Sequence, residues 1–169
     1  MSHLHRLRDT DRIFFVTVNL RRVLAPLRRG EYQSLTAVIG ASCAKLGFKL
    51  YGYVLMPDHW HALLWTRYPL TISRAVQDIK WSSARALNEL RGTSGAVWQH
   101  QFWDRFVRHA KEFNDRLMYM HLNPVRSELV AKPEDWRWSS YNNFALDQEA
   151  VVSCPIQVDY ALLPEGYRE

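Results

Sequence analysis

Two histidines separated by one residue, His59 and His61, are the first side chains whose type and spacing could support chemistry. They open the segment HWHALLWT, residues 59–66, which has the composition of a β-strand. Side chains two apart on a strand point to the same face, so we expect the imidazoles side by side and Trp60 facing a core. Two neighbouring imidazoles on a rigid strand provide half of a metal site. Histidines at this spacing also occur on half-exposed sheet edges that bind nothing, and the pair alone leaves that alternative open.

A tyrosine and an asparagine four residues apart, Tyr119 and Asn123, form the second pair. On a helix predicted over 112–123 they share one face, and His121 points to nearly the opposite side. A phenol can attack phosphorus when its developing charge is stabilised, and the carboxamide oxygen of Asn123 could complete the coordination of a metal ion. The alternative is structural: Tyr119 packs at a helix end, and Asn123 ends the helix because Pro124 follows it.

The segments that must position these pairs alternate between strand and helix patterns. Strands are predicted at 13–20, 48–56, 59–66 and within 97–107, and helices from a cap at Ser34 to 46, over 71–91 and over 112–123. This order predicts the α+β class. We expect a ferredoxin-like sandwich, in which an antiparallel four-stranded sheet carries helices packed on one face.

The composition limits the class of protein. With 169 residues, 47% hydrophobic and 23% charged, the chain has the make-up of a folded domain and not of a disordered one. It has no apolar run of about 20 residues and no secretory signal pattern, so we expect a cytoplasmic protein that does not enter a membrane. Two cysteines, Cys43 and Cys154, are too few for a disulfide scaffold or a thiolate metal cluster.

The net charge favours an anionic partner. Lysine and arginine exceed aspartate and glutamate by 22 − 17 = 5, and the isoelectric point is about 9.4. A basic surface attracts nucleic acid, although it also serves solubility alone.

Four sequence blocks taken together resemble a known family. They are YVLMPDHWHALLW at 53–65, VWQHQFWDRFVRHAKEF at 97–113, YMHLNPVRSELV at 119–130 and DWRWSSY at 135–141. In this order they resemble the blocks of the REP-associated tyrosine transposases. That family is related to the insertion-sequence 200/605-type transposases, which have a single catalytic tyrosine and the HUH motif.

The resemblance implies a function and a set of site residues. His59 and His61 match the metal-binding histidines, Tyr119 matches the nucleophile, and Asn123 matches a polar third ligand. One divalent ion, Mg²⁺ or Mn²⁺, is implied as cofactor. Single-stranded DNA, with a hairpin such as a repetitive extragenic palindrome, is implied as substrate, and cleavage and rejoining would pass through a 5′-phosphotyrosine. The sequence departs from the family at Asp58, where asparagine is common, and at Trp60, which is larger than the usual residue.

Basic side chains are the expected contacts with DNA phosphates. The candidates are Arg12, Arg21, Arg22, Arg28, Arg29, Lys80, Arg85, Arg105 and Arg108. Ser139, Ser140 and Tyr141 could also contact DNA. Trp136 and Trp138 are expected to dock the C-terminal segment onto the core.

The expected organisation is a catalytic domain over 1–145 and a C-terminal tail over 146–169 packed on the same domain. We expect a monomer rather than a homodimer. We also expect the protein to lie at the nucleoid in a bacterial cytoplasm. Three other functions stay open: a domesticated protein that binds structured DNA without cutting it, a replication-type HUH nicking endonuclease, and a metallohydrolase that uses metal-bound water.

Overall fold

A four-stranded antiparallel sheet forms the centre of the protein, and its spatial order is β2-β3-β1-β4. The computed structural model describes residues 10–145 and 155–159. The strands are β1 (Arg12–Asn19), β2 (Lys49–Leu55), β3 (His59–Thr66) and β4 (Trp103–Phe106). The α+β class and the antiparallel four-stranded sheet are confirmed, and the strand order is that of a ferredoxin-like fold.

Helices cover both faces of this sheet. Helices α1 (Arg29–Leu46) and α2 (Ile72–Arg91) share one apolar core with Phe14 and Val16 of β1. Helix α3 (Ala110–Arg126) packs on the opposite face against Ile13 and Phe15. The expectation that the helices lie on one face therefore holds for α1 and α2 but not for α3. The sequence carries a sign of this, because the run IFFV in β1 is apolar at every position, as in strands buried on both faces.

Two predicted helix boundaries were wrong, and the fourth strand is a short one within its predicted segment. Helix α1 begins at Arg29 and not after Ser34, because the side chain of Glu31 bonds the backbone N–H of Arg28 in a capping box. Strand β4 is shorter than its apolar segment, of which Trp98 forms an isolated bridge with Leu20. Helix α3 continues through Pro124 to Arg126.

Proline does not end α3 because its cost falls in the last turn of the helix. Pro124 removes one backbone donor, but the N–H of Ser127 still bonds the carbonyl of Asn123 at 2.9 Å. The N–H of Leu129 bonds the carbonyl of Pro124, also at 2.9 Å. Tyr119 and Asn123 therefore both lie inside the helix.

The segment after α3 lies along β2. It comprises a 3₁₀ turn (Pro133–Asp135) and the short helix α4 (Tyr141–Ala145). Trp136 donates its indole N–H to the carbonyl of Leu55, and Trp138 stacks on Tyr32 of α1 with ring centroids 5.4 Å apart. Docking by these two tryptophans is thus what the structure shows.

The described part of the tail also contacts β2. Asp159 bonds Leu50 through both its backbone N–H and its side chain, and Val158 is buried in the core shared by α1 and α2. The division into 1–145 and 146–169 stays a prediction. Within residues 10–145 and 155–159, no helix combines the length and apolar character needed to cross a bilayer.

Candidate active site

The two histidines stand side by side at the start of β3. His59 and His61 point to the face of the sheet that α3 covers, while Trp60 is fully buried on the other face, as expected. Their rings lie edge to face with centroids 4.7 Å apart, and the two Nε2 atoms are 3.1 Å apart. The strand therefore brings one nitrogen of each imidazole to a common point.

Each histidine is held through its other nitrogen. The hydroxyl of Thr17 lies 2.8 Å from Nδ1 of His61, because β1 pairs Thr17 directly with His61. A carboxylate oxygen of Asp58 lies 2.6 Å from Nδ1 of His59. Partners of this kind fix the orientation of a metal-binding imidazole, and a carboxylate also raises its basicity.

His61 is buried and uncharged. Its burial, aided by the neighbouring His59, lowers the pKa of His61 from 6.5 to about 3. A neutral imidazole keeps a lone pair for a metal ion, so His61 is available as a ligand throughout the neutral range.

Tyr119 lies over the histidines on the facing side of α3. Its ring centroid is 5.6 Å from that of His61 and 6.1 Å from that of Phe15. The residue is 39% exposed, so a substrate can reach its phenol. The guanidinium of Arg126 lies 5.7 Å from the ring centroid of Tyr119, and that of Arg116 lies 5.1 Å from the ring centroid of Phe15.

A glycine in β2 allows α3 to approach the sheet. A Cβ atom at Gly52 would lie 2.6 Å from Cδ1 of Leu117 and 3.1 Å from Cε of Met120. Those two residues flank Tyr119 along the helix, so the missing side chain of Gly52 sets how close the phenol comes to the histidines.

Asn123 occupies a different environment. It lies one turn beyond Tyr119 and is buried, and its side-chain oxygen accepts a hydrogen bond from Ser127 at 3.3 Å. Among the residues that the structure describes, no hydrogen bond joins it to either histidine. The structure thus brings His59, His61 and Tyr119 together, while Asn123 lies one helical turn beyond Tyr119.

The histidine geometry fits a divalent ion. Two ligand atoms at about 2.1 Å from one ion and at right angles to each other are about 3 Å apart, close to the 3.1 Å between the Nε2 atoms of His59 and His61. Imidazole nitrogen suits Mn²⁺ and other transition ions better than Mg²⁺, and an amide oxygen suits both. No group of three histidine, cysteine or acidic side chains forms a metal site in the described part of the chain, so a third ligand would have to come from a residue such as Asn123 or from the substrate.

A shallow cavity of about 460 Å³ continues from Tyr119 along α3. Its lining carries both charges: Glu112, Asp115, Arg116, Met118, Tyr119 and Arg126. Arg116 and Arg126 were not predicted as site residues. Their positions nevertheless share one helix face with Tyr119 and Asn123, because 116, 119, 123 and 126 repeat at helical spacing.

The basic residues predicted to bind DNA lie on several elements of the fold. Arg12 and Arg108 both hold their guanidinium groups over Phe106, and Arg105 forms an ion pair of 3.2 Å with Glu112 beside α3. Lys80 is half-buried and donates to the carbonyls of Gln99 and His100, which is a structural role. The remaining candidates are exposed and lie in the connection before α1, at the start of α1 or on α2: Arg21, Arg22, Arg28, Arg29 and Arg85.

Ser139 and Ser140 are also structural. Both are buried, Ser139 bridges to Val54, and the hydroxyl of Ser140 lies 2.8 Å from Nε2 of His121. Tyr141 is half-buried with its ring against His121. His121 therefore faces the C-terminal segment, on the side of α3 away from Tyr119.

The chain is similar to several known proteins. The family model described as transposase IS200 like matches residues 12–115, a segment that contains both histidines and ends four residues before Tyr119. A REP-associated tyrosine transposase of Escherichia coli (strain K12) is 26% identical over 144 residues, which are 84% of each chain. A solved structure described as a REP-associated tyrosine transposase bound to a REP hairpin superposes with a TM-score of 0.72 at 23% identity, over 95% of this chain and 93% of that one.

Proposed function

The chain belongs to the transposase IS200-like family, as its sequence blocks predicted, and from that premise we propose that it cleaves and rejoins single-stranded DNA through Tyr119. The members of this family are transposases and therefore enzymes. The observation that carries the proposal is the convergence of Tyr119, His59 and His61 from two separate elements on one exposed face.

The proposed reaction exchanges one phosphoester for another. The phenol oxygen of Tyr119 bonds to phosphorus while the bond from phosphorus to the 3′ oxygen breaks. The phenol proton passes to solvent and the 3′ oxygen takes up a proton, which leaves a 5′-phosphotyrosine and a 3′-hydroxyl. Because the ester bond is conserved, a 3′-hydroxyl can attack the phosphotyrosine and rejoin the strand without ATP.

The side chains around Tyr119 have distinct roles in this proposal. His59, His61 and Asn123 would hold one divalent ion, Mn²⁺ or Mg²⁺, which offsets the negative charge that builds on the phosphate oxygens. Thr17 and Asp58 orient the two imidazoles. Arg116 and Arg126 place positive charge beside the path of the phosphate backbone.

We further propose hairpin DNA, such as a repetitive extragenic palindrome, as the substrate. The support is the solved relative that is described as bound to a REP hairpin, together with the basic charge of this chain. A DNA substrate would place the protein at the nucleoid of the bacterial cytoplasm. A monomer is favoured because the chain's own C-terminal segment lies along the β2 edge of the sheet.

The test is a denaturing-gel assay with labelled hairpin oligonucleotides taken from the DNA that flanks the gene. With Mn²⁺ we expect a covalent protein–DNA adduct that disappears in Tyr119→Phe, while that variant still binds the hairpin in a native gel. Tyr141→Phe is the matched control, since it removes a phenol on the other side of α3, and it should keep the adduct.

Each other outcome identifies a different function. Cleavage that survives Tyr119→Phe without any adduct would indicate a metallohydrolase that uses metal-bound water. Hairpin binding without cleavage by the wild type in any divalent ion would indicate a domesticated binding protein. Nicking that requires a replication origin in place of a hairpin would indicate a replication-type endonuclease.

A further inference from the structure

The sheet register places an exposed tryptophan on the same face as the two histidines. Thr17 of β1 pairs with His61 on one side and with Trp103 of β4 on the other. Directly paired residues of antiparallel strands point to the same face, so His61, Thr17 and Trp103 form a row across three strands. The packing agrees, because Phe102 and Phe106, which flank this position, pack into the core on the opposite face.

Within the part of the chain that the structure describes, Trp103 belongs to neither of the two apolar clusters. It is 61% exposed and is the first residue of the edge strand β4, at the end of the pairing between β1 and β4. Helix α3 packs mainly over β2 and β3, and its Glu112 reaches Arg105 of β4. An exposed indole beside the candidate site can stack on a flat ligand.

Cationic groups lie on the same side of the sheet as the tryptophan. Arg105 pairs with Phe15 across β1 and β4 and so shares the face. Arg116 lies over Phe15, and Arg126 lies beside Tyr119. Aromatic platforms flanked by basic side chains are the usual means of holding single-stranded nucleic acid, since each base has a face to stack and each phosphate has a charge.

The distance from the histidines corresponds to a few nucleotides. Neighbouring strands are about 4.8 Å apart, so Trp103 lies about 10 Å from His61 along the row. Stacked nucleotides on one strand are spaced by about 3.4 Å, and this separation equals about three of them, or fewer when the strand is stretched.

We propose that Trp103 is a stacking platform for one base of single-stranded DNA, within about three nucleotides of the phosphate that Tyr119 attacks. The proposal rests on the proposed function and adds a specific subsite to it. The platform would hold the strand in register over the histidines, and Arg105 would contact the phosphate next to the stacked base.

The experiment is an abasic scan in which binding is measured without metal and in the Tyr119→Phe background, so that it does not depend on cleavage. Hairpins with single-stranded arms carry one abasic nucleotide at a time, and affinity is read by fluorescence anisotropy for Trp103 and for Trp103→Ala. Trp103→Phe should restore most of the affinity. Trp81→Ala is the matched control, because Trp81 is 75% exposed on α2, which packs on the other face.

We expect Trp103→Ala to weaken binding of the intact hairpin by about 5- to 150-fold. An abasic nucleotide at one position close to the cleaved phosphate should lower the affinity of the protein with Trp103 by a similar factor. The same abasic nucleotide should leave the affinity of Trp103→Ala almost unchanged. Trp81→Ala should bind within about twofold of its parent.

Two results would overturn the platform. One is unchanged affinity in Trp103→Ala; the other is a loss that is the same at every abasic position, which would mean that Trp103 contacts no particular base. The gel assay keeps the two proposals apart. If the effects of Trp103→Ala and of the abasic nucleotide on affinity depend on each other but the wild type forms no adduct, the platform stands and the proposed cleavage fails. If an adduct forms but the two effects are independent, the proposed cleavage stands and the platform fails.

Discussion

At the scale of single residues, the candidate site depends on partners that the reactive side chains have outside it. His61 and His59 direct Nε2 inward because Thr17 and Asp58 occupy their Nδ1 atoms. The two partners differ, since His61 is held by a hydroxyl inside the sheet and His59 by an exposed carboxylate.

Removal of these partners should weaken metal binding without removing a ligand. For Thr17→Val and Asp58→Ala we expect Mn²⁺ affinity to fall about 10- to 100-fold, because the imidazoles lose their preferred orientation. Isothermal titration of Mn²⁺ in the absence of DNA would measure this directly. Asp58→Asn keeps an acceptor for Nδ1 and should lose less; an affinity unchanged in Asp58→Ala would show that the contact does not orient His59.

The sequence predicts the reactive residues better than their supports. His59 and His61 stand out by the alternation of a strand, and Tyr119 by its resemblance to a family block. Thr17 has no such signal, since its contact with His61 exists only once the register of β1 and β3 is known. For the same reason the tryptophan platform at Trp103 required the register of β4.

At the scale of elements, α3 is the part that the sequence placed least well. Its existence and its reactive face were predicted, but its side of the sheet and its end were not. The sequence of the helix itself does not show which face of the sheet it will cover. The face is determined by the apolar residues of β1 that α1 and α2 leave uncovered. The prediction that α3 ends before Pro124 was wrong, because a proline destabilises a helix little in a last turn that keeps its other hydrogen bonds.

A side chain at Gly52 should displace α3 and with it Tyr119, the proposed nucleophile. In Gly52→Ala the new Cβ would meet Leu117 and Met120, whose side-chain ends must shift. We expect a loss of about 1–3 kcal/mol in the free energy of unfolding and a larger relative loss in the rate of adduct formation. The Mn²⁺ affinity should fall less than this rate, because two of the three proposed ligands lie on β3.

The control for this prediction is a second glycine. Gly40 lies inside α1, and a Cβ there meets nothing within 4 Å. Gly40→Ala should therefore leave adduct formation unchanged and raise stability by up to about 1 kcal/mol. Urea denaturation and single-turnover gels measure both quantities, and equal rates for Gly52→Ala and the wild type would contradict the role given to Gly52.

At the scale of the whole molecule, the last described segments hold distant elements together. Trp136 and Trp138 join β2 to α1, and His121 attaches α3 to Ser140. The sequence predicted docking by the tryptophans, because two indoles in DWRWSSY are hard to leave in water. It did not predict that His121 and Ser140 would be buried as a polar pair, which depends on how α3 is rotated.

This buried pair should make stability depend on pH. Burial lowers the pKa of His121 from 6.5 to about 4, so the native protein resists its protonation while the unfolded chain accepts a proton below pH 6.5. The free energy of unfolding should therefore fall as the pH decreases from 6.5 towards 4, by up to about 1.4 kcal/mol per pH unit from this residue.

Urea denaturation of the metal-free protein near neutral pH and at about pH 5 would measure the effect. His121→Gln does not titrate and keeps a donor for Ser140, so its stability should decline less over this interval. His100→Gln, at an exposed histidine, should behave as the wild type. Identical declines in all three proteins would mean that His121 does not titrate differently in the two states.

The covering of β2 by the C-terminal segment also protects the protein from aggregation. The strand Lys49–Leu55 reads KLYGYVL, rich in residues that favour intermolecular pairing, and its outer edge is shielded by Trp138, Ser139, Ser140 and Asp159. Damage to this cover would leave the histidines and the tyrosine in place but present an unpaired strand to other copies of the chain. Loss of solubility, with strand-to-strand aggregation, is then the first defect to expect from changes far from the catalytic face.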